Sequence, residues 1–238
     1  MLFTTSWDDG HPHDFRVADL LEKYGMTGTF YVCRDGQVGA KLTDDQIRAL
    51  ASRHEVGAHT ISHPSLRTVP AAVQREEISG SKKWLESVTG AECRMFAYPY
   101  GHYNETAVEA VREAGFRGAR TTQDLIWSTD QFHLSPTIQV HHFPFRPIPN
   151  RRCIQPLQTH YKSLRGMHVP LFALRNWSAM TKAVFRYAVD TRQPWFHLWG
   201  HSWSLERFGL WEQFEDMLKH IHAQPDMTYI TNRELLTR

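Results

Sequence analysis

Apolar residues recur along the chain in two alternating patterns, one typical of buried strands and the other of amphipathic helices. Short runs rich in β-branched and aromatic residues predict the strands, and apolar residues three or four positions apart predict the helices between them. This alternation predicts a parallel sheet with right-handed crossovers, whose functional groups gather at the carboxyl ends of the strands. We predict strands at residues 2–7, 27–33, 55–58, 95–98, 116–120, 195–198 and 227–231, and helices at residues 14–24, 43–53, 69–89, 104–114, 177–190 and 210–222.

One segment departs from this alternation. Residues 131–176 contain six prolines, and residues 131–189 contain no Asp or Glu although they include eight Lys or Arg. Because proline interrupts regular elements, we predict an irregular basic insertion over residues 131–176. With 238 residues, 41% of them apolar, the chain is long enough for one large core, and we predict a single domain over residues 1–238.

Charge, hydropathy and cysteine content exclude several classes of protein. A formal net charge of +2 is too small to indicate a nucleic-acid partner, and no apolar run is long enough to span a membrane. The first residues lack the basic and apolar segments of a signal peptide. Three widely spaced cysteines, Cys33, Cys93 and Cys153, suit free thiols in a reducing compartment. We therefore expect a cytoplasmic protein.

Two adjacent acids, Asp8 and Asp9, end the first predicted strand and are followed by Gly10. On an extended backbone their side chains point in opposite directions, so one can ligate a metal while the other acts as a base. Two histidines, His59 and His63, follow the third predicted strand at a spacing of four residues. Together with Asp9 they provide the two nitrogens and one oxygen of a catalytic zinc site.

Four stretches of the chain carry a specific resemblance, and their order and spacing extend over nearly its whole length. They are Thr5–Gly10, His59–His63, Phe96–Gly101 and Leu198–Ser202. In these stretches the chain resembles the NodB-homology polysaccharide deacetylases, which are metal-dependent carbohydrate esterases. The resemblance implies an α/β fold, a distorted (β/α) barrel with about seven parallel strands and a catalytic site at their carboxyl ends.

The resemblance also implies roles for individual residues. Asp8 is the expected general base, and His201 is the expected general acid that protonates the departing amine. Asp9, His59 and His63 are the expected ligands of one divalent ion, with zinc first and cobalt, nickel, manganese or iron as alternatives. The backbone N–H of Tyr100 is expected to stabilise the oxyanion. The residues expected to contact the substrate are Tyr98, Pro99, Leu198 and Trp199.

Three positions depart from the family pattern. Ala97 replaces an arginine that pairs with the base carboxylate, and we predict that Arg120 supplies this guanidinium, with Arg94 as the competitor. Trp199 replaces a leucine of the acyl pocket, which predicts a small pocket suited to acetyl groups. The aspartate that orients the acid histidine has no clear match, and Asp124 and Asp130 are both candidates.

We therefore predict a metal-dependent N-deacetylase of an amino sugar. An anionic substrate, phosphorylated, nucleotide-linked or carrier-linked, would suit the basic segment, in which Arg151 and Arg152 are adjacent. One alternative is an allantoinase-like or other small-amide hydrolase of the same superfamily. Another is a non-catalytic sugar-binding module that retains the fold. The expected partner is an acetylated sugar and not a nucleic acid, and the oligomeric state stays open.

Overall fold

The computed structural model of the chain describes residues 1–36, 39–128, 130–142 and 155–236. Three arginines of the basic segment, Arg146, Arg151 and Arg152, lie outside the described residues, as does Cys153. The other two cysteines, Cys33 and Cys93, are buried free thiols, in agreement with the sequence analysis. Among the described helices, none is both long and apolar enough to cross a bilayer.

A parallel sheet forms the centre of the molecule, with the strand order β5-β4-β3-β2-β1-β7-β6 and with β8 paired to β1. The predicted distorted (β/α) barrel is confirmed. The strands are β1 (Leu2–Asp9), β2 (Thr29–Val32), β3 (Glu55–Ala58), β4 (Met95–Ala97), β5 (Gly118–Arg120), β6 (Ile138–Val140), β7 (Trp195–Gly200) and β8 (Thr228–Tyr229).

Helices surround this sheet and supply most of the apolar partners of its outer face. They are α1 (Asp14–Lys23), α2 (Asp44–Ala51), α3 (Ala71–Thr89), α4 (Glu105–Glu113), α5 (Gln155–Gly166), α6 (Trp177–Asp190), α7 (Ser202–Phe208), α8 (Trp211–His222) and α9 (Asn232–Leu235). Short 3₁₀ helices lie at Pro99–Gly101 and Leu171–Arg175.

Strand β1 has a polar face and an apolar face, although it is buried on both. Trp7 packs edge-on against Phe214 of α8, at 4.9 Å between ring centroids. The opposite face carries Thr4, Ser6 and Asp8, because side chains alternate along a strand. Their partners, in the same order, are Asn232, His197 and Arg120. The face of β1 that points into the barrel is therefore polar, and this polar row ends at Asp8.

The segment predicted to be irregular is in part regular. Residues 131–176 include strand β6, helix α5 and the 3₁₀ helix Leu171–Arg175. The prediction was wrong here because it treated every proline as an interruption. Pro156 is the second residue of α5, in the first helical turn, where a missing N–H breaks no intrahelical hydrogen bond.

Candidate active site

The carboxyl ends of β1, β3, β4, β5 and β7 bring the predicted site residues to one edge of the sheet. Asp8 and Asp9 end β1, and Arg120 ends β5. His59 directly follows β3, and His201 directly follows β7. Residues far apart in sequence therefore meet at this edge, as expected for a parallel α/β fold.

Asp9, His59 and His63 each offer one ligand atom, and these three atoms lie within 4.8 Å of one another. The Oδ1 atom of Asp9 is 3.4 Å from Nε2 of His63 and 3.9 Å from Nε2 of His59. This oxygen is buried without a hydrogen-bond partner among the described residues. The other carboxylate oxygen, Oδ2, accepts a hydrogen bond from the indole of Trp203 at 2.8 Å. The bond fixes the carboxylate and leaves Oδ1 directed at the two histidines.

His59 is held in the form that ligates metals, and the rings of both His59 and His63 are buried. Nδ1 of His59 lies 2.8 Å from the carbonyl oxygen of Ala97, to which it donates, so Nε2 keeps its lone pair. Nε2 of His63 lies 3.1 Å from Nε2 of His59. Burial lowers the pKa of His59, and burial together with His59 lowers the pKa of His63 to about 4. Both rings are therefore neutral at pH 7.

Backbone conformation brings the two acids to the same place. Asp9 has a φ of 82°, in the left-handed region. Nε2 of His59 is consequently 3.8 Å from Oδ2 of Asp8 and 3.9 Å from Oδ1 of Asp9. The simple strand alternation assumed from the sequence was wrong at this point. A left-handed residue of this kind costs of order 1–3 kcal/mol, and such residues cluster at functional sites.

Asp8 forms a buried ion pair with Arg120. The guanidinium of Arg120 is fully buried and also lies over the ring of Trp199, 4.7 Å from its centroid. Burial alone would raise the pKa of Asp8, but its neighbours, with the charge of Arg120 first among them, lower that pKa. The competitor Arg94 is exposed and pairs with Glu92 at 2.8 Å. Of the two arginines considered, Arg120 is the one in contact with the carboxylate.

His201 lies beside the candidate metal ligands but has a different environment. Its Nε2 is 3.9 Å from Oδ2 of Asp9, and 22% of its side chain is exposed. The ring lies between two tryptophans, with centroid distances of 5.7 Å to Trp199 and 5.2 Å to Trp203.

The prediction that Asp124 or Asp130 orients His201 was wrong. Asp124 accepts a hydrogen bond from the indole of Trp199 at 2.7 Å, and burial raises its pKa to about 7. Asp130 pairs with His133 at 2.9 Å. Trp199, two residues before His201, contacts the carboxylate of Asp124, which was one of the two candidate partners of the histidine.

The residues expected to contact substrate differ in exposure. Tyr98 and Leu198 have no exposed surface, and Tyr98 donates its hydroxyl to the carbonyl of Phe132 at 3.2 Å. A direct substrate contact was therefore wrongly predicted for these two, because both point into the core. Pro99 is also buried, and 5% of Trp199 is exposed.

Tyr100, predicted to stabilise the oxyanion, offers the most surface in this stretch. It is 54% exposed, and its ring meets the edge of His63 at 4.5 Å. Its φ of 57° places it, like Asp9 and His63, in the left-handed region at this edge of the sheet.

Two residues that support the site were not found from the sequence. Trp203 holds Asp9, and its position two residues after His201 was the available signal. Glu77 of α3 holds the loop between the histidines. No local pattern identifies it, because it lies 15 residues from Ser62.

Comparisons with known proteins agree with this geometry. Residues 3–119 match the family described as polysaccharide deacetylase. The Bacillus subtilis protein YxkH is 30% identical over 130 residues, 53% of this chain and 46% of that protein. A chitooligosaccharide deacetylase of Bradyrhizobium sp. is 30% identical over 129 residues, 52% of this chain and 55% of that protein. The chain thus spans about half the length of these curated relatives.

A solved structure shares the fold over the full chain. A family 4 acetyl xylan esterase from Clostridium thermocellum, in complex with a cobalt ion, superposes with a TM-score of 0.62 at 16% identity. The match covers 100% of this chain and 91% of that one. At this identity the likeness establishes the fold alone.

Proposed function

Because the chain belongs to the polysaccharide deacetylase family, we propose that it is a metal-dependent hydrolase that removes N-acetyl groups from an amino sugar. The observation that carries the proposal is the Oδ1 of Asp9, which has no hydrogen-bond partner among the described residues and faces two neutral histidine rings beside a buried Asp8–Arg120 ion pair. A buried carboxylate oxygen without a donor is costly unless a cation completes its environment.

The donor set fits a divalent ion. Asp9, His59 and His63 would hold it, and two nitrogens with one oxygen suit zinc, with cobalt, nickel, manganese or iron as alternatives. When bound there, the ion would supply Lewis acidity to the carbonyl oxygen of the acetyl group. Hydrogen bonds from Trp203 to Asp9 and from His59 to Ala97 hold two of the three ligands in orientation.

The chain's own residues would move the protons. Asp8 is ionised, because Arg120 lowers its pKa, and it would accept a proton from the attacking water. His201 would donate a proton to the departing amine, and its partial exposure leaves room for a sugar at this side. The N–H of Tyr100 would donate to the oxyanion as negative charge develops.

The acyl group is proposed to be acetyl. Trp199 stands where the family has a smaller side chain, and it is held between Asp124 and Arg120. A fixed indole at the pocket wall excludes longer acyl chains, and one methylene is worth roughly 1–3 kcal/mol of discrimination.

We further propose that the sugar is attached to an anionic carrier. It is supported by the absence of acids in residues 131–189 and by the exposure of Arg165 and Arg175. The adjacent Arg151 and Arg152 lie outside the described residues. If the carrier is anionic, replacing both with Ser should raise KM for a phosphorylated N-acetyl sugar and leave KM for the neutral sugar unchanged. Equal KM values for the two sugars would exclude this substrate class.

The experiment that tests the proposed activity is a hydrolysis screen. Purified protein, stripped by a chelator and reloaded with zinc or cobalt, is assayed for acetate release from chitooligosaccharides, N-acetylglucosamine phosphate and a nucleotide-linked N-acetyl sugar. We expect release that requires the metal and is lost in Asp8→Asn. Allantoin hydrolysis without acetate release would favour a small-amide hydrolase. Sugar binding without any turnover would favour a binding module.

A further inference from the structure

A carboxylate outside the site holds the loop that joins the two histidines. Oε2 of Glu77 accepts hydrogen bonds from the backbone N–H groups of Ile61 at 2.8 Å and Ser62 at 2.9 Å. Oε1 accepts a further bond from the Ser62 hydroxyl at 2.5 Å. Glu77 is 9% exposed, so these bonds are shielded from water. One side chain of α3 thus binds both residues in the middle of the loop.

The loop requires support from outside because its backbone is unfavourable. Thr60 has a φ of 68° and His63 a φ of 60°, and β-branched residues such as threonine rarely adopt this region. Each left-handed residue costs of order 1–3 kcal/mol and persists only where surrounding contacts impose it. The N–H of His63 donates to the Thr60 hydroxyl at 3.0 Å, but that contact lies within the loop itself. Glu77 connects the loop to a long helix.

The surface of α3 is shaped to receive the loop. Gly80 follows Glu77 by three residues and lies on the same face of the helix. A Cβ atom added at Gly80 would lie 2.6 Å from Cδ1 of Ile61, closer than real Cβ contacts. The absence of a side chain at Gly80 lets Ile61 lie against the helix where its N–H reaches Glu77.

The two histidines depend on this support to different degrees. His59 directly follows β3, and its ring is fixed by the Ala97 carbonyl on the neighbouring strand β4. His63 comes at the far end of the loop, and its Nε2 approaches His59 and Asp9. A movement of the loop would therefore displace His63 and leave His59 in place.

We propose that Glu77 is a positioning residue that holds His63 in the orientation required for metal binding. The inference rests on the proposed function, since it takes Asp9, His59 and His63 as ligands of a divalent ion. Glu77 contacts neither the ion nor the substrate in this account. Partners that orient metal ligands typically contribute 10- to 100-fold in metal affinity.

Two substitutions separate the effect of the side-chain length of Glu77, which sets its hydrogen bonds to the loop, from the effect of its charge. In Glu77→Gln the side-chain oxygen can accept both backbone N–H groups, and the amide nitrogen can donate to the Ser62 hydroxyl, so the contacts remain without the charge. Glu77→Asp keeps the charge but withdraws it by one methylene. If positioning matters, the Gln variant keeps most of the zinc affinity and the Asp variant loses it. A purely Coulombic effect on the ion predicts the opposite order.

The test is a zinc titration of the full chain against a competing chelator, with an amide-exchange measurement on the metal-free protein. We expect Glu77→Ala and Glu77→Asp to weaken zinc binding about 10- to 100-fold. Exchange at the amides of Ile61 and Ser62 should accelerate in the same two variants. Glu76→Gln, the exposed neighbour on α3, is the matched control and should change neither quantity. Circular dichroism establishes that each variant is folded before it is titrated.

Different results would contradict the positioning role of Glu77 and the metal site itself. If wild-type protein binds zinc and Glu77→Asp binds it equally well, the positioning role is wrong while the proposed metal site stands. If Glu77→Gln loses as much zinc affinity as Glu77→Ala, the charge of Glu77 and not its hydrogen bonds to the loop is responsible, and the proposal is again overturned. If wild-type protein binds no divalent ion, the metal site itself is wrong, and the positioning role for it is overturned with it.

Discussion

The two residues proposed to transfer protons, Asp8 and His201, stand in contrasting environments. Asp8 is buried and has a dedicated partner, the fully buried Arg120, which lowers its pKa. His201 is partly exposed, lies between two tryptophans and has Asp9 as its nearest carboxylate. The base side is therefore preorganised by a buried ion pair, whereas the acid side is open to solvent. We therefore expect substitutions of Asp8 to cause a large loss of activity that is hard to rescue. Substitutions of His201 should cause a smaller loss that an added base can partly restore.

The largest effect is expected for Asp8→Asn. An amide cannot accept the proton from water, so turnover should fall roughly 10²- to 10⁴-fold, the range for general-base removal. Zinc content should be unchanged, since Asp8 is not a proposed ligand. Turnover and bound metal measured on one preparation check this. A rate near that of wild type would mean that another group is the base.

Removing Arg120, the charge partner of Asp8, should change the pH dependence of activity. In Arg120→Met the positive charge that lowers the pKa of Asp8 is lost, so that pKa rises. The base works in its deprotonated form, and the acidic limb of the kcat/KM profile should therefore move to higher pH. Breaking a buried pair also costs about 3–5 kcal/mol of stability, visible as a lower Tm.

Arg94→Met is the matched control for the arginine experiment. Arg94 is exposed and pairs with Glu92, so this variant should leave both the acidic limb and the Tm unchanged. A shift in Arg94→Met with none in Arg120→Met would reverse the assignment.

On the acid side, His201→Ala should reduce turnover by about 10²-fold, the lower end of the range for acid catalysis. Because 22% of the side chain is exposed, added imidazole should enter and restore part of the rate. The same additive should not restore Asp8→Asn, whose site is 2% exposed. Equal rescue of both variants would remove the contrast between the two sides.

The smallest effect on rate is expected for Trp199→Phe. The ring is retained over Arg120, but the hydrogen bond to Asp124 is lost and a buried carboxylate is left without that donor. We expect a stability loss of about 1–3 kcal/mol, measured by denaturant unfolding, with a modest change in turnover. A large loss of activity at unchanged stability would mean that the indole N–H contacts the substrate directly.

The residue pairs that lie close together in sequence, and the contact between two strand ends, could be predicted from the sequence. Asp8 with Asp9, and His59 with His63, are recognisable because each pair lies on one short stretch at the end of a strand. The neighbourhood of Arg120 and Asp8 followed from strand order, since both residues end strands of one parallel sheet.

Other features require the folded structure. The carboxylate of Asp124 could have served His201 or Trp199, which are two residues apart, and only the fold distinguishes them. The support from Glu77 crosses from a helix to a loop. Helix α5 was missed because its proline lies within the first turn, where proline is tolerated. For Asp124 and Glu77 the deciding interaction is with a residue that the local pattern does not contain.

Direct measurement of bound metal is the closest test of the metal site proposed at Asp9, His59 and His63. The 238-residue chain is stripped with a chelator, dialysed against zinc and assayed by elemental analysis, alongside the double variant His59→Ala, His63→Ala. We expect one zinc per chain in the wild type and none in the double variant, because two of the three proposed ligands are gone. Stoichiometric zinc in the double variant, or none in the wild type, would contradict it.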